Sequence, residues 1–400
     1  PEIQGHEATM ANLIRLARET DTQIVAAHDV YYLHPDDRTA RDTLMLVNTN
    51  GDVSDRGTDN EDEDFSFISV ERAEELFKDI PDAIANTEKI ADMCNLEIVL
   101  GKWIFPNYIV ESGLSYDEEL KKIAYAGFKR RNMEQSEEAL KRLEYELQVI
   151  KDKGYAQYFL VVYDLLRYAH ENKILTNIRG SVAGSLTTYL TGIPNVDPLE
   201  YRLPFERFLN PQRPSAPDVD MDFADNRRDQ VIDYARQKYG IDKVAQIGTF
   251  GTMMAKGAVR DVARAMGYPY DVADRISKLI PLGAQGFAMT IDRALEEVPE
   301  LKTMYDTEQD TKRIIDMAKK IEGCARHISV HAAGVVIAPQ SLIEYAPLQY
   351  DTKGDNKIIT QYDMHAVGED GVGLLKFDFL GIKNLSILAD AVDRVKKIEG

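Results

Sequence analysis

The chain contains 400 residues, of which 44% are hydrophobic and 29% are charged, and its formal net charge is −19. This length predicts two or three soluble domains with apolar cores. No run of about 18 apolar residues occurs, which argues against a membrane span. The two cysteines, Cys94 and Cys324, lie far apart, which excludes a disulfide framework and a thiolate zinc site and makes the cytosol the expected compartment.

Helix and strand patterns alternate over the first 95 residues, as expected for part of an α/β domain whose beginning is missing. The predicted elements are an amphipathic helix (about 7–19), an apolar strand (23–33), a helix from Pro35, and helices over 69–80 and 82–94. Residues 51–65, GDVSDRGTDNEDEDF, are interpreted as a solvated acidic loop, whereas residues 128–131, FKRR, are basic. The global charge argues against nucleic acid at first sight, but the basic segment leaves a local basic channel open.

Helices dominate the middle of the chain. An irregular passage over 101–122 precedes helices over 116–132, 136–154 and 158–172, and the second of these begins at Ser136 and stops at Gly154. Residues 250–322 are again mostly helical, and strand patterns return from residue 327. A helical insertion between two strand-bearing pieces predicts a discontinuous α/β domain.

Residues 217–223 read PDVDMDF, with aspartates at every second position: Asp218, Asp220 and Asp222. On a β-strand these carboxylates share one face, and the apolar residues between them share the other. Like charges so close destabilise one another unless a cation lies among them. Two interpretations remain open, a solvated strand edge and a metal site. A calcium loop is excluded, because Phe223 stands where such a loop needs glycine.

The segment KFDF, residues 376–379, favours the metal site. Lys376 and Asp378 share a face if this segment is a strand. An aspartate that adjoins the acids of PDVDMDF would complete an oxygen-rich site, which suits Mg²⁺ better than zinc. Two such ions about 4 Å apart support phosphoryl transfer.

A glycine–serine segment, IRGSVAGSL over 178–186, offers phosphate-binding groups. Gly180 and Ser181 present amide N–H and hydroxyl donors beside the charge of Arg179. The alternative is an ordinary helix start capped at Ser181. Arg207 and Arg213 precede the acidic segment, either as ion-pair partners of its acids or as ligands of a triphosphate and primer end.

Eight motifs occur in the order and spacing of one family, the alpha (catalytic) subunits of bacterial replicative DNA polymerase III, which the chain closely resembles over essentially its whole length. They are RGSVAGS, FERFLNP, PDVDMDF, RRDQVIDYARQKYG, QIGTFGTM, RISKLIP, HAAGVVIAP and KFDFLG. The resemblance implies an α/β multidomain fold, with a polymerase-beta-like nucleotidyltransferase palm, an inserted helical thumb, and before them the C-terminal part of a PHP-type (polymerase and histidinol phosphatase) domain. The implied domains are the PHP part (1–95), the first palm part (96–249), the thumb (250–326), the second palm part (327–385) and the start of the fingers (386–400).

The same resemblance implies the site. Asp218, Asp220 and Asp378 are the expected catalytic residues and ligands of two Mg²⁺ ions, with Asp222 as a supporting acid. The implied nucleotide-binding residues are Arg179, Gly180, Ser181, Arg207, Arg213 and Lys376. The candidates for contact with duplex DNA are Lys256, Arg260, Arg264 and Lys278, for which an ordinary solvated face is the alternative.

Two motifs depart from the family pattern. The family's Asp-x-His-Tyr motif reads Asp29-Val30-Tyr31-Tyr32, with tyrosine at a metal-ligand position, so we expect the PHP part to be structural or metal-depleted. His331 follows valine where some members carry lysine, and both a functional role and a packing or capping role remain open.

The function implied is template-directed DNA synthesis in chromosomal replication, in which a deoxynucleotide passes from a dNTP to a primer 3′-OH and pyrophosphate leaves. Primer–template DNA and dNTPs are the implied partners, together with a sliding clamp and other replicase subunits bound through regions outside this chain. The alternatives are another two-metal nucleotidyltransferase on the same palm, and a non-catalytic nucleic-acid-binding scaffold with a structural metal site. Without complete fingers, this stretch alone is expected to fold without polymerising.

Overall fold

The computed structural model describes residues 6–51, 53, 64–133, 136–213, 216–283, 288–352, 354, 357–368 and 370–399. Most of the predicted acidic loop over 51–65 lies outside these residues. Within the described ranges, every helix is too short or too polar to cross a lipid bilayer.

The helices and strands follow the chain in this order. The helices are α1 (His6–Glu19), α2 (Arg38–Thr49), α3 (Val70–Leu76), α4 (Pro81–Met93), α5 (Tyr116–Arg130), α6 (Glu137–Lys153), α7 (Ala156–Glu171), α8 (Leu186–Thr191), α9 (Arg228–Tyr239), α10 (Ala255–Ala265), α11 (Tyr270–Leu279), α12 (Ile291–Glu297), α13 (Pro299–Thr307), α14 (Gln309–Ile321), α15 (Met364–Val367) and α16 (Lys383–Glu399). The strands are β1 (Thr176–Arg179), β2 (Asp220–Ala224), β3 (Val244–Thr252), β4 (Ala325–Ile337), β5 (Leu348–Tyr350), β6 (Ile358–Thr360) and β7 (Lys376–Ile382).

The chain divides into two compact units. One contains residues up to 97 together with 251–327, and the other contains 98–250 together with 328–400. The second unit is therefore discontinuous in sequence. The names given to these ranges from the family resemblance, PHP part, palm, thumb and fingers, stay predictions.

A mixed seven-stranded sheet, in the order β1-β2-β7-β4-β3-β6-β5, organises the fold and agrees with the α/β class expected from the sequence. Strand β2 lies between β1, to which it is antiparallel, and β7, to which it is parallel. Strand β4 pairs antiparallel with the other edge of β7. Both acid-bearing strands are therefore interior strands, and their acids are presented from a rigid layer.

The apolar face of β2 and β7 packs against helices. Met221, Phe223, Phe377 and Phe379 are fully buried in one cluster with side chains of α7 and α9. Phe223 and Phe379 meet edge to face, with ring centroids 5.5 Å apart. This burial confirms the prediction that alternate residues anchor the strand, and it fixes the opposite face on which the acids lie.

The other unit has its own helical core, formed by side chains of α2 and α10–α14. The strand predicted over 23–33 is wrong: no strand forms there, and only Tyr32 makes an isolated bridge, to Ser66. The segment is extended, but no described strand runs beside it, so its backbone groups bond singly to other parts of the chain, as when Ala26 N–H donates to the Ala83 carbonyl. An apolar run needs a pairing partner to become a strand, and the sequence window does not contain that information.

Candidate active site

Three carboxylates meet where β2 and β7 run side by side. Asp220 lies directly opposite Asp378 in the parallel register, and Asp218 stands just before β2. One oxygen from each side chain lies within 4.8 Å of the others. The expectation that Asp378 joins the acids of PDVDMDF is confirmed, and these are the only three such residues that cluster in this way within the described ranges.

The charge in this cluster is incompletely balanced. The Lys376 ammonium group lies 2.7 Å from Asp378 Oδ2. The other oxygen of Asp378, Oδ1, is buried and has no hydrogen-bond partner among the described residues. A buried carboxylate oxygen without a donor is costly unless a cation supplies the missing charge.

The pKa shifts in this cluster arise from burial and from the neighbouring charges. Although Asp218 is solvent-exposed, enough protein surrounds its carboxyl group that desolvation raises its pKa, and the charges of Asp378 and Asp220 add to this against the opposing effect of Lys376. Burial lowers the pKa of Lys376, but its hydrogen bond to Asp378 and the surrounding carboxylates outweigh burial and leave the pKa raised. The site thus favours added positive charge.

Asp222 shares the strand face but not the cluster. It is 3% exposed and accepts two hydrogen bonds from Arg179, Nε to Oδ2 at 2.6 Å and Nη2 to Oδ1 at 2.8 Å. Asn177 also donates to its Oδ2, at 3.3 Å. The oxygens of Asp222 are therefore occupied by β1, which gives a physical reason for its supporting position.

The glycine–serine segment borders the acids. Gly180 has φ = 92°, a conformation that favours glycine, and a side chain there would begin 3.5 Å from Asp220 Oδ2. Ser181 follows on a 3-10 turn that ends at Gly184, and both Gly180 and Ser181 are exposed. The donors of Gly180 and Ser181 are accordingly open to a ligand beside the carboxylates.

The other two arginines predicted to bind nucleotide, Arg207 and Arg213, make no ion pair with the described acids of β2 and β7. Arg207, on a 3-10 turn over Phe205–Arg207, and Arg213 are both exposed, and neither guanidinium group pairs with a carboxylate among the described residues. His331 is bound to the backbone, since its Nδ1 accepts from the amides of Ala333 (3.2 Å) and Gly334 (2.7 Å). These contacts favour the packing or capping interpretation of His331, and burial lowers its pKa.

The candidate DNA contacts lie in the other unit, where two of them share one acid. Arg260 and Lys278 both pair with Asp274, at 3.3 and 2.7 Å. Lys256, half-buried on α10, has no ion pair within the described residues.

Arg264 is engaged differently. Its Nη1 donates to the Gly51 carbonyl at 2.8 Å and its Nη2 to the Val47 carbonyl at 3.3 Å, which ties it to the end of α2. These bonds favour a structural role for Arg264, whereas Arg260 and Lys278 keep exposed side chains.

Tyr31 and Tyr32, in the segment that differs from the family's Asp-x-His-Tyr motif, contact other side chains and backbone groups of the chain. Tyr31 packs on Phe65, with ring centroids 5.1 Å apart, and the Arg41 guanidinium lies 5.2 Å from the Tyr31 ring centre. The Tyr32 hydroxyl accepts the Phe65 amide at 3.0 Å. That this part of the chain is structural or metal-depleted stays a prediction.

Sequence reasoning missed two residues that support the glycine–serine segment, Glu146 and Arg142 on α6. Glu146 is completely buried although it is charged. It follows the buried Leu143 by three positions and precedes the buried Ile150 by four, so it stands in the apolar stripe of the helix. A carboxylate within an apolar stripe was the signal available.

Comparisons with known proteins identify relatives of the chain. Residues 118–381 match the family model described as the bacterial DNA polymerase III alpha NTPase domain. The chain is 38% identical to the DNA polymerase III subunit alpha of Pseudomonas fluorescens over 98% of its length, and 38% identical to that of Bacillus subtilis over 99%. It is 40% identical to the subunit of Escherichia coli K12 over 98% of its length. In these alignments the chain spans about a third of each relative, 34%, 35% and 34% respectively.

Proposed function

Because the chain belongs to the family of bacterial DNA polymerase III alpha subunits, we propose that it carries the catalytic centre for template-directed DNA synthesis. The convergence of Asp218, Asp220 and Asp378 on two adjacent strands carries this proposal. Most of the proposed palm, 96–249 and 327–385, then belongs to the unit formed by 98–250 and 328–400, and the helices over 250–326 are the proposed thumb. Residues 1–95 correspond to part of a PHP-type domain, and residues 386–400 begin the fingers.

Two Mg²⁺ ions are the proposed cofactor. The cluster offers oxygen donors alone, which suit a hard divalent cation, and the unpartnered Asp378 Oδ1 would gain a partner. When bound, such ions lower the pKa of an attacking hydroxyl and neutralise charge that develops on phosphate oxygens.

The residues around the acids would bind and orient the dNTP. The Gly180 backbone and the Ser181 hydroxyl are exposed beside Asp220 and would donate to triphosphate oxygens. Arg179 keeps Nη1 outside its bond pair with Asp222, and we propose that this nitrogen contacts a phosphate. Lys376 would add positive charge next to the reacting groups. Arg207 and Arg213, which are exposed and pair with no acid among the described residues, would complete the nucleotide site.

Duplex DNA is the proposed macromolecular partner of the helical insertion, through Lys256, Arg260, Arg264 and Lys278. The relatives' name, DNA polymerase III subunit alpha, supports a DNA polymerase that has further subunits. Replication in the bacterial cytoplasm, with a sliding clamp and other replicase subunits bound outside these residues, is proposed with it. The contacts of Arg264 make it the weakest of the four candidates, since its guanidinium group already serves two backbone carbonyls.

Mg²⁺-dependent primer extension by the natural full-length protein tests the proposal. Asp218→Ala and Asp378→Ala should each reduce the rate at least about 10³-fold, which corresponds to about 4 kcal/mol of lost transition-state stabilisation. The matched control is Asp233→Ala, which changes an exposed acid of α9 that pairs with Arg236. Normal extension by either cluster variant would refute the site.

The same assay separates the alternatives. Extension that ignores the template sequence would favour a template-independent nucleotidyltransferase. A protein that binds Mg²⁺ through the three acids but extends no primer would favour a scaffold with a structural metal site. Incorporation that follows the template and requires all three acids is the outcome expected here.

A further inference from the structure

A buried carboxylate already occupies the N-terminus of α8, next to the proposed phosphate-binding segment. Glu146 on α6 is fully buried and accepts three hydrogen bonds from that terminus. The donors are Ser185 Oγ (2.8 Å), the Leu186 amide (3.0 Å) and the Thr187 amide (2.9 Å). Since these groups are satisfied, a triphosphate is left with the exposed donors of Gly180 and Ser181 rather than with the helix terminus.

Arg142 extends this contact to a second segment. Its Nε donates to Glu146 Oε1 at 2.6 Å. Its Nη2 donates to the carbonyls of Gly184, at 2.9 Å, and Leu203, at 3.2 Å. One guanidinium group therefore joins the end of the Ser181–Gly184 turn to the residues that lead into the turn carrying Arg207.

The two joined segments approach each other closely. A side chain at Gly184 would begin 2.7 Å from the Pro204 carbonyl oxygen, so only glycine fits without a shift of the backbone. Pro204 is followed directly by the turn Phe205–Arg207. The position of Ser181 relative to Arg207 is thus set by backbone contacts that the Glu146–Arg142 pair holds in place.

We propose that Glu146 and Arg142 are positioning residues for the incoming nucleotide: they hold the Gly180–Ser181 donors and the Arg207 turn in one fixed arrangement. This role rests on the proposed function, because it concerns the triphosphate of that reaction. Neither residue needs to touch the nucleotide. Groups that are aligned before binding lose less freedom on binding, and a small misplacement weakens every phosphate contact together.

A conservative variant separates positioning from general stability. Glu146→Gln preserves the shape of the side chain but replaces one acceptor oxygen with an NH₂ group, which must face a donor from the α8 terminus or from Arg142. In the natural full-length protein, with single-nucleotide incorporation on a primer–template, we expect the KM for dNTP to rise about tenfold and kcat to change less than about twofold. A merely structural role would reduce the folded fraction, and so the apparent kcat, without raising KM.

Two further variants complete the design. Arg142→Lys retains the charge but cannot serve Glu146 and both carbonyls together, so it should raise KM in the same direction. Glu137→Gln changes an exposed acid of the same helix, whose ion pair with Lys141, at 4.0 Å, is weak, and it should leave both constants unchanged. Hydrogen exchange at the Leu186 and Thr187 amides should be faster in Glu146→Gln than in Glu137→Gln.

The outcomes distinguish this role from the proposed function. A wild-type protein that incorporates no nucleotide under template direction refutes the proposed function, and this role with it. An active wild type beside Glu146→Gln with unchanged KM, or with a fall confined to kcat, refutes the positioning role alone. If Glu146→Gln does not fold, Arg142→Lys decides: an unchanged KM in that variant overturns the proposal.

Discussion

The β2–β7 strand pair and the helical layer of α6 and α7 both place carboxylates inside the same unit, but they differ in the hydrogen-bond donors that surround those carboxylates. In the helical layer, Asp164 on α7 is 1% exposed. It accepts from the hydroxyls of Tyr234 and Tyr239, each at 3.0 Å, and pairs with Arg167 at 2.8 Å. Every oxygen of this acid has a donor from the chain.

The strand pair leaves one of its acids, Asp378, short of a donor. Asp378 Oδ1 is buried without a partner in the described part of the chain, and Lys376 provides the ammonium nearest to that side chain. A fold that saturates Asp164 and Glu146 is able to satisfy buried carboxylates, so the deficit at Asp378 is specific to this place. Breaking the contacts of a buried acid whose oxygens all have donors costs stability, whereas a carboxylate cluster that lacks a donor is a candidate ligand site.

The largest expected effect on stability is the loss of Asp164. Asp164→Ala should reduce the free energy of unfolding by about 3–5 kcal/mol. It removes the acceptor of the buried Tyr239 hydroxyl and of the partly buried Tyr234 hydroxyl, and one of the two acids that pair with Arg167. Urea denaturation followed by circular dichroism measures this. Glu171→Ala removes the exposed second acid on the same arginine and should cost less than about 1 kcal/mol. Equal costs for both variants would break the distinction between saturated and exposed acids.

An intermediate effect is expected at Asp222, which lies on a strand of the acid cluster but has hydrogen-bond donors on both of its carboxylate oxygens. Asp222→Asn should destabilise the fold by about 1–2 kcal/mol, since it weakens the two hydrogen bonds from Arg179. The loss is moderate because the Arg179 side chain is 48% exposed. The same measurement on Asp220→Asn should show no comparable loss. If Asp220→Asn proves the more damaging of the two, the cluster acids are structural after all.

Periodicity predicted the parts of this arrangement that depend on local sequence. Helix α6 runs from the Ser136 cap, whose hydroxyl accepts the Ala139 amide, to Gly154 in the left-handed conformation, as its terminal signals predicted. Alternation likewise predicted that the residues between the acids of PDVDMDF are buried, and Met221 is fully so. Both patterns report one element at a time, which is why one sequence window sufficed.

Contacts between residues that are far apart in the sequence were not predicted where no sequence motif indicated them. Glu146 meets donors of α8 some forty positions away, and neither its helix pattern nor theirs encodes that contact. The segment 23–33 has the composition of a strand but no neighbouring strand among the described residues. By contrast, the meeting of Asp378 with the acids of PDVDMDF was predicted, because charged residues on two strand segments are costly to bury unless they meet partners. The choice of Asp218 and Asp220 among those acids came from the family resemblance.

The smallest expected effect concerns Asp218, and it has the opposite sign from the losses above. The folded-state pKa of Asp218 is raised above its ordinary value of 3.8, so its contribution to stability is complete below that value and is lost as the pH rises through the folded pKa. Without divalent ions, Asp218→Asn should therefore be slightly more stable than the wild type at pH 7. This advantage should shrink as the pH is lowered toward 4.

Urea denaturation in EDTA between pH 4 and pH 8 measures the difference, with Asp233→Asn, an exposed acid, correcting for the loss of one negative charge. Mg²⁺ should reverse the order at pH 7, because an ion that binds only the folded wild type stabilises it by mass action, and the variant retains one ligand fewer. A variant that is less stable than the wild type in EDTA would mean that the Asp218 carboxylate is satisfied like that of Asp164. The contrast between the strand pair and the helical layer would then not hold for Asp218, the first residue of the cluster.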